Sequence, residues 1–420
     1  MQSPVLEVPG TANSSAVRVS PMRVFMMDLL TIVPYYNGHL CAALRRLDGL
    51  RVDLGSITYH LDRGFFQRQQ LRPGAGLAAG MIDVVSRFSI GPDVLRRVLK
   101  TIECLLNMCI LMVRFQFQKP DLIHVQFLPM IKFGFPFELW FLRAMQGMNV
   151  RIVYTVHNVL PQNTGERYRA RYAKIYRMAS QLICHDGSAK RRLAEEFGVD
   201  PRRVSVIAHG PLLVNESAQT REQARNKVGI PQDQVLVLWQ GILRPYKGVP
   251  FLLDAWKQVQ AATGRACLAI VGSGGAELIR SIHEQVASLE IALSVRLELR
   301  FVSVEELADF YLAADILVYP YSEITTSGAL MTGIGYGKAI VASRLPAFDH
   351  LLRDGDNAML VSYGDVQDLA RTLVRLIGEP GLRHRLGESA RESHLSGPRW
   401  ADIAASTARC YESALRGESL

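Results

Sequence analysis

Apolar positions recur along this chain in short blocks separated by stretches with helical spacing. Met22 to Asp28 reads as a first strand, and Leu40, Leu44 and Leu47 within Gly38 to Leu50 lie on one face of a helix. Further blocks at Leu122 to Phe127, Ile152 to Val156, Gln181 to Cys184 and Val204 to Ile207 predict buried strands, most of them separated by helical patterns. After Gly210 the segment Glu216 to Gly229 turns polar and charged, and Pro231 follows. A second series of strands then opens at Val235 to Trp239 and continues at Ala266 to Val271, Arg296 to Phe301, Ile316 to Tyr319 and Ala339 to Ser343. Helices are predicted at Pro250 to Ala262, Ala276 to Ser288 and Val304 to Ala313. Strands alternating with helices make a parallel sheet covered on both faces. The expected architecture is α/β, with two Rossmann-like doubly wound domains facing a central cleft and ligands at the carboxyl ends of the strands. The expected boundaries are a loose tail at 1–21, a first domain at 22–214, a linker at 215–234 and a second domain at 235–420. The helical stretch from Val366 to Gly417 is expected to cap that second half.

Composition narrows the class without changing this architecture. A chain of 420 residues, 49% apolar and 21% charged, is an ordinary globular composition, which excludes a disulfide-stapled module and a disordered chain. The six cysteines, at 41, 104, 109, 184, 267 and 410, form no C-x-x-C pair and fit a reducing compartment. The longest uncharged run, Leu29 to Leu44, is 16 residues and contains Pro34, Asn37 and His39, short of the roughly 20 apolar residues that span a bilayer. No transmembrane helix is expected, and the location is expected to be cytoplasmic. Charge is uneven: residues 1–210 carry 27 Lys and Arg against 15 Asp and Glu, a balance of +12, while residues 211–420 carry 21 against 24. Any anionic surface is therefore met by the first half. No zinc-finger spacing, aromatic RNA-binding strand motif or heptad-bearing basic helix is present, so nucleic acid is not an expected partner.

Several motifs fail. Met27 to His39 contains a single glycine, Gly38, and Gly272-Ser273-Gly274 is followed by Glu277 where a dinucleotide fingerprint needs its third glycine. Gly337-Lys338 is no P-loop, because Thr332 and Ala339 stand where a glycine and a magnesium-binding hydroxyl belong. What remains sits at strand ends of the second half. Gly241 to Gly248 follows a buried strand, so Arg244 and Lys247 can project from its loop, and two cations with little local acid suit a diphosphate. Thr325, Thr326, Ser327 and Gly328 lie between a strand and a helix, where amides and hydroxyls can approach an anion at the helix N-terminus. Glu323 stands beside them, placed to accept hydrogen bonds from sugar hydroxyls. Each residue also has a structural alternative: solvated loop cations, a Ser or Thr N-cap, an acid complementing the helix dipole, and ordinary turns at Gly272 and Gly274. His157, after a strand, reads equally as a core histidine, and the aromatic residues Phe127, Phe133, Phe135, Phe137, Trp140 and Phe141 as core or as a membrane-facing lip.

These segments resemble the retaining glycosyltransferases of the GT-B fold, family four (glycosyl transferases group 1), from Met22 onward. WQGILRPYKG is similar to that family's phosphate motif, YPYSEITTSGALMTGIGYGKAIVAS to its donor-sugar segment, and VGSGG to its glycine turn near the nucleotide; TVHN at 155–158 and VIAHG at 206–210 match in the first half. The resemblance implies a metal-independent enzyme with no cofactor beyond its donor, a nucleoside diphosphate sugar linked to GDP or UDP. The sugar would pass, with retention, to a hydroxyl of a glycan or lipid-linked acceptor, in bacterial-type polysaccharide or glycolipid synthesis. It implies Gly241, Gly272 and Gly274 near the donor, Lys247 and Arg244 on the diphosphate, Glu323 on the sugar and His157 on the opposite wall. Two positions depart: Met331 stands where the family often has a second glutamate on the ribose, and Ile242 where an arginine is usual, with Arg244 as its substitute. A non-catalytic nucleotide-sugar-binding scaffold and a sugar-nucleotide epimerase on the same fold remain alternatives. The basic first domain, with Arg96, Arg97 and Lys100 before the apolar stretch Cys104 to Val113, is expected to dock peripherally on an anionic membrane.

Overall fold

A computed structural model of the chain describes residues 20–56, 65, 81–82, 84–85, 93–131, 136–160, 165–212, 219–324 and 327–417. Thr325, Thr326, Phe133, Phe135, the Arg97 side chain and most of the expected tail lie outside the described residues. Two six-stranded sheets, parallel throughout, organise the rest. The first contains β1 (Met22–Met27), β2 (Leu50–Gly55), β3 (Leu122–Val125), β4 (Arg151–Val156), β5 (Gln181–Cys184) and β6 (Val204–Val206) in the order β2-β1-β3-β4-β5-β6. The second contains β7 (Val235–Gln240), β8 (Ala266–Val271), β9 (Val295–Glu298), β10 (Ile316–Tyr319), β11 (Ala339–Ser343) and β12 (Met359–Val361) in the order β12-β11-β10-β7-β8-β9. Each order reverses direction once, between β1 and β3 in the first sheet and between β7 and β10 in the second, and an open α/β sheet binds ligands at such a point.

The strand blocks that the sequence marks are those with continuous apolar runs, because a central parallel strand is buried on both faces. Every residue of β3, β5, β10 and β11 is buried. The edge strand β2 escaped the pattern, because it interleaves Arg51 and Asp53 with Val52 and Leu54; β9, expected at Arg296 to Phe301, is half-buried throughout and spans Val295–Glu298. The first helix, α1 (Pro34–Leu44), begins before the expected Gly38. The cause is Asp28, fully buried after β1, whose carboxylate accepts from the amides of Ile32 (3.0 Å) and Val33 (2.9 Å) and from Asn37 Nδ2 (2.8 Å), so the chain turns at once into helix.

Among the described residues the remaining helices of the first half are α2 (Asp93–Phe117), α3 (Phe137–Gly147), α4 (Arg169–Met178) and α5 (Gly187–Phe197). Those of the second are α6 (Arg221–Val228), α7 (Val249–Ala262), α8 (Ala276–Ser288), α9 (Val304–Ala313), α10 (Gly328–Gly335), α11 (Val366–Gly378) and α12 (Pro380–Leu395). The last helix, α13 (Trp400–Arg416), corrects the expectation that everything after Val366 caps the second half: it packs on α1, β4 and β5 of the first. Its Ile403, Ala404, Cys410, Tyr411 and Ala414 join Val24, Met26, Leu122, Val153 and Ile183 in one core. The Tyr411 hydroxyl lies 2.7 Å from His124 Nδ1 in that core. The chain therefore crosses between the halves twice, once after Leu212 and once before Trp400, where the indole N–H donates to the Pro211 carbonyl at 3.0 Å.

Candidate active site

The two cation- and glycine-bearing segments leave β7 and β10, the strands that flank the switch point of the second sheet. The structure brings them into backbone contact. Ser322 N donates to the Tyr246 carbonyl at 2.8 Å, and a Cβ built on Gly248, whose φ is +68°, would overlap the Pro320 carbonyl. The third segment follows β8. Gly241 N donates to Val271 O at 3.1 Å and Leu243 N to Ser273 O at 2.8 Å, so Gly241 and Gly272 face each other across adjacent strand ends. Gly274 packs on Leu243 so closely that a Cβ would lie 2.5 Å from the leucine Cβ. Only glycine allows these approaches, since no side chain separates the backbones.

A cavity of about 320 Å³ opens over this point, lined by Gly241, Lys247, Gly272, Gly328 and Thr332 from the second half and by Tyr35 from the first. Lys247 is half-buried, and its ammonium lies 2.5 Å from where a Gly241 Cβ would stand and 5.6 Å from the centre of the Tyr321 ring. Loss of hydration lowers its pKa to about 8, and the positive charge of Arg244 adds to the shift. A cation held at that cost in a glycine-walled cavity is arranged for an anion. Arg244 is exposed, and its carbonyl accepts from Lys247 N at 3.0 Å. Ser327 acts as N-cap of α10, its hydroxyl accepting from Leu330 N at 3.2 Å. Glu323 is exposed in the loop after β10 and lines neither this cavity nor the larger one.

That second cavity, of about 620 Å³, lies between the halves, with His185 and His209 on one wall and Ser327, Met331, Arg353 and His394 on the other. His157 lies behind its first wall, buried: Nδ1 is 3.1 Å from His185 Nε2 and Nε2 is 3.1 Å from Gln126 Oε1. His185 Nδ1 in turn donates to the Ile207 carbonyl at 3.1 Å. Tyr36 packs edge-on against His157, with ring centres 5.0 Å apart. Burial holds His124 at about 3, His185 at about 4 and His157 well below the usual histidine value, the last also through its histidine neighbours.

The smaller cavity thus gathers Lys247, Gly241, Gly272 and Gly328; Gly274 packs on Leu243 beside it, Arg244 and Glu323 are exposed outside its lining, and His157 lies behind a wall of the larger cavity. Three contributors carried no recognised signal. His185 follows β5 as His157 follows β4, and that parallel is the one trace of it in the sequence. α10 turns Thr332 and Ala329, not Met331, to the smaller cavity, and the Thr332 hydroxyl accepts from Leu212 N at 3.2 Å. Leu212 itself reaches from the linker onto Gly328, where a Cβ would overlap its side chain.

Comparison with known proteins places this geometry. The model of the family described as glycosyltransferase family 4 matches residues 35–210, and that described as glycosyl transferases group 1 matches residues 234–379. The D-inositol 3-phosphate glycosyltransferase of Streptomyces bingchenggensis is 31% identical over 248 residues, which is 57% of this chain and 54% of that protein. The enzyme of the same description from Thermobifida fusca is 28% identical over 257 residues, 60% and 58% of the two chains. The chain spans about half the length of the curated relatives it matches. Among solved structures, Anabaena HepE in complex with UDP and glucose superposes with a TM-score of 0.70 at 16% identity, over 93% of this chain and all of that one. Sucrose-phosphate synthase from Thermosynechococcus elongatus gives 0.69 at 18% identity, over 95% of this chain and all of that one. At that identity the likeness is one of fold, the two-domain GT-B fold. With a family model matched in each half, this chain belongs to glycosyltransferase family 4, the group 1 glycosyl transferases.

Proposed function

We propose that the chain is a retaining glycosyltransferase that moves a sugar from a nucleoside diphosphate sugar to a hydroxyl of a glycan or lipid-linked acceptor. The observation that carries this reading is Lys247, a partly desolvated ammonium in a glycine-walled cavity at the switch point of the second sheet. The complexes of HepE with UDP support a uridine donor as the first to test. In transfer, the bond between the anomeric carbon and the β-phosphate oxygen breaks while a bond to the acceptor oxygen forms on the same face. The acceptor proton passes to the departing phosphate oxygen. Lys247, Arg244 and the amides at the start of α10 stabilise the charge left on the diphosphate. The acceptor enters from the basic first half, which meets the membrane peripherally.

Calorimetry with UDP tests the assignment. A hydrogen bond to a charged group contributes about 1.5–3 kcal/mol, so Lys247→Ala is expected to weaken binding about ten-fold or more. Arg244→Ala, at an exposed position, is expected to cost less. Unchanged affinity in both variants defeats the phosphate site. Because only the protonated amine attracts the diphosphate, wild-type affinity is expected to hold up to about pH 8 and then to fall, by up to ten-fold per pH unit. A flat profile from pH 7 to 9.5 contradicts the role of Lys247. Transfer is also expected to survive excess EDTA, since side-chain cations take the place of a metal; complete loss of activity there overturns that part of the mechanism.

A further inference from the structure

We propose that the outer face of α2 and α3 is a membrane-docking surface that lies in the plane of an anionic lipid leaflet, with the apolar stripe of α2 at the boundary between headgroups and acyl chains. The inner face of α2 is core: Cys104, Met108, Leu111 and Phe115 are buried against the first sheet. The opposite face is apolar as well. Leu95, Val98, Ile102, Leu106, Cys109, Val113 and Phe117 are all exposed, Val113 by 62% and Phe117 by 86%. Between Val98 and Phe117 no exposed residue of the helix is charged. A helix apolar on both faces needs a second apolar neighbour. Trp140, 55% exposed, presents a further large apolar side chain from α3.

Charge and spacing select the occupant. Glu103 and Glu138, the acids among the described side chains of these two helices, are both buried: Glu103 accepts from Val84 N and Val85 N, and Glu138 from Ile131 N at 2.9 Å. Among the described side chains, the exposed charges on the same helices are therefore the cations Arg96 and Arg143. An apolar stripe with basic flanks and, among the described side chains, no exposed carboxylate is complementary to anionic headgroups. The stripe also advances by 3, 4, 4, 3, 4 and 4 residues. That averages about 3.7 per turn, not the 3.5 that holds a left-handed coiled-coil seam together. Because α2 runs antiparallel to the strands it connects, its Leu95 end lies at the carboxyl edge of the sheet, beside the cleft, where a lipid-linked acceptor would arrive. The proposal rests on the first half being the membrane-facing half, and its test reads lipid contact with neither donor nor acceptor present, so it stands or falls apart from transfer.

Cys109 is a built-in reporter, since Cys41, Cys104, Cys184 and Cys410 are buried and Cys267 is half-buried. The full chain carrying Cys267→Ser is labelled at Cys109 with an environment-sensitive fluorophore and mixed with vesicles of phosphatidylcholine alone or with added phosphatidylglycerol. The expected result is a several-fold rise and blue shift of emission with the anionic vesicles only, quenched by spin-labelled acyl chains. The double variant Leu106→Glu, Val113→Glu, at two exposed positions, is expected to melt at the wild-type temperature and to bind anionic vesicles about ten-fold more weakly or worse. Unchanged Cys109 emission overturns the proposal, whether or not the chain floats with the vesicles. So does wild-type binding by the double variant, or a dimer in sedimentation equilibrium that the double variant dissociates.

Discussion

Replacing Gly272 with alanine is expected to abolish measurable nucleotide binding and to lower the melting temperature of the second half. The methyl group would stand 1.9 Å from the Gly241 carbonyl oxygen and 2.8 Å from its carbon. Both are backbone atoms and have no rotamer by which to withdraw. Gly272 also has φ of +144° and Gly241 φ of +151°, a region that L-residues rarely occupy. Backbone strain of about 1–3 kcal/mol and overpacking of about 1–3 kcal/mol then act at one place. The loops after β7 and β8 must separate, and Lys247, whose ammonium rests over Gly241, moves with them. Gly275→Ala is the control three residues on, where φ is −69° and a Cβ would meet nothing within 4 Å. Calorimetry and thermal melts of the two variants separate a specific backbone approach from a general intolerance of the loop; equal behaviour removes the first explanation.

Between pH 6.5 and about 4 the chain is expected to lose stability steeply. His124, His157 and His185 are buried and neutral when folded, with pKa values far below the 6.5 they regain on unfolding. In that window the unfolded chain binds more protons than the folded one, so stability falls as pH falls. Each such histidine costs up to about 1.4 kcal/mol per pH unit, or about 4 kcal/mol per unit for the three. That is a large share of the 5–15 kcal/mol typical of a domain. Asp28 works in the opposite sense, because burial raises its carboxyl, but it is one group against three. Carboxylates held low by arginine, such as Glu196 beside Arg192 and Asp356 beside Arg353, give up their contribution only at lower pH. Urea midpoints at pH 7, 6 and 5 measure the effect, and a constant midpoint contradicts the neutral histidine cluster.

Central strands were legible because burial on both faces removes charge from their sequence, as at Ile316–Tyr319 and Ala339–Ser343. The edge strand β2, which interleaves Arg51 and Asp53 with its apolar residues, went unmarked, whereas β9 was marked with shifted bounds, Arg296 to Phe301 for Val295–Glu298. In the candidate site, Gly241, Lys247 and Gly272 were legible because unusual residues stand directly at strand ends. Thr332 was not: it is one residue, about 100° of helix rotation, from Met331, and a short helix entered through a loop leaves open which side faces inward. Nor was His185, whose importance lies in a hydrogen bond to His157 across 28 positions of chain. The destination of α13 was equally hidden, because its apolar face fits any uncovered sheet and only the three-dimensional path chooses between the two.

That path bears on how the protein is made. On the ribosome the six strands of the first sheet emerge long before α13, the helix that completes one of their faces. His124 and the side chains around it stay uncovered while the whole of the second sheet is synthesised, and Tyr411 arrives only afterwards. The second half, from α6 through α12, is an insertion in folding terms: its core can close first, although it is translated second. A release halted before Trp400 would leave a finished second half tethered to an unfinished partner, so quality control during translation falls on the half that left the tunnel first.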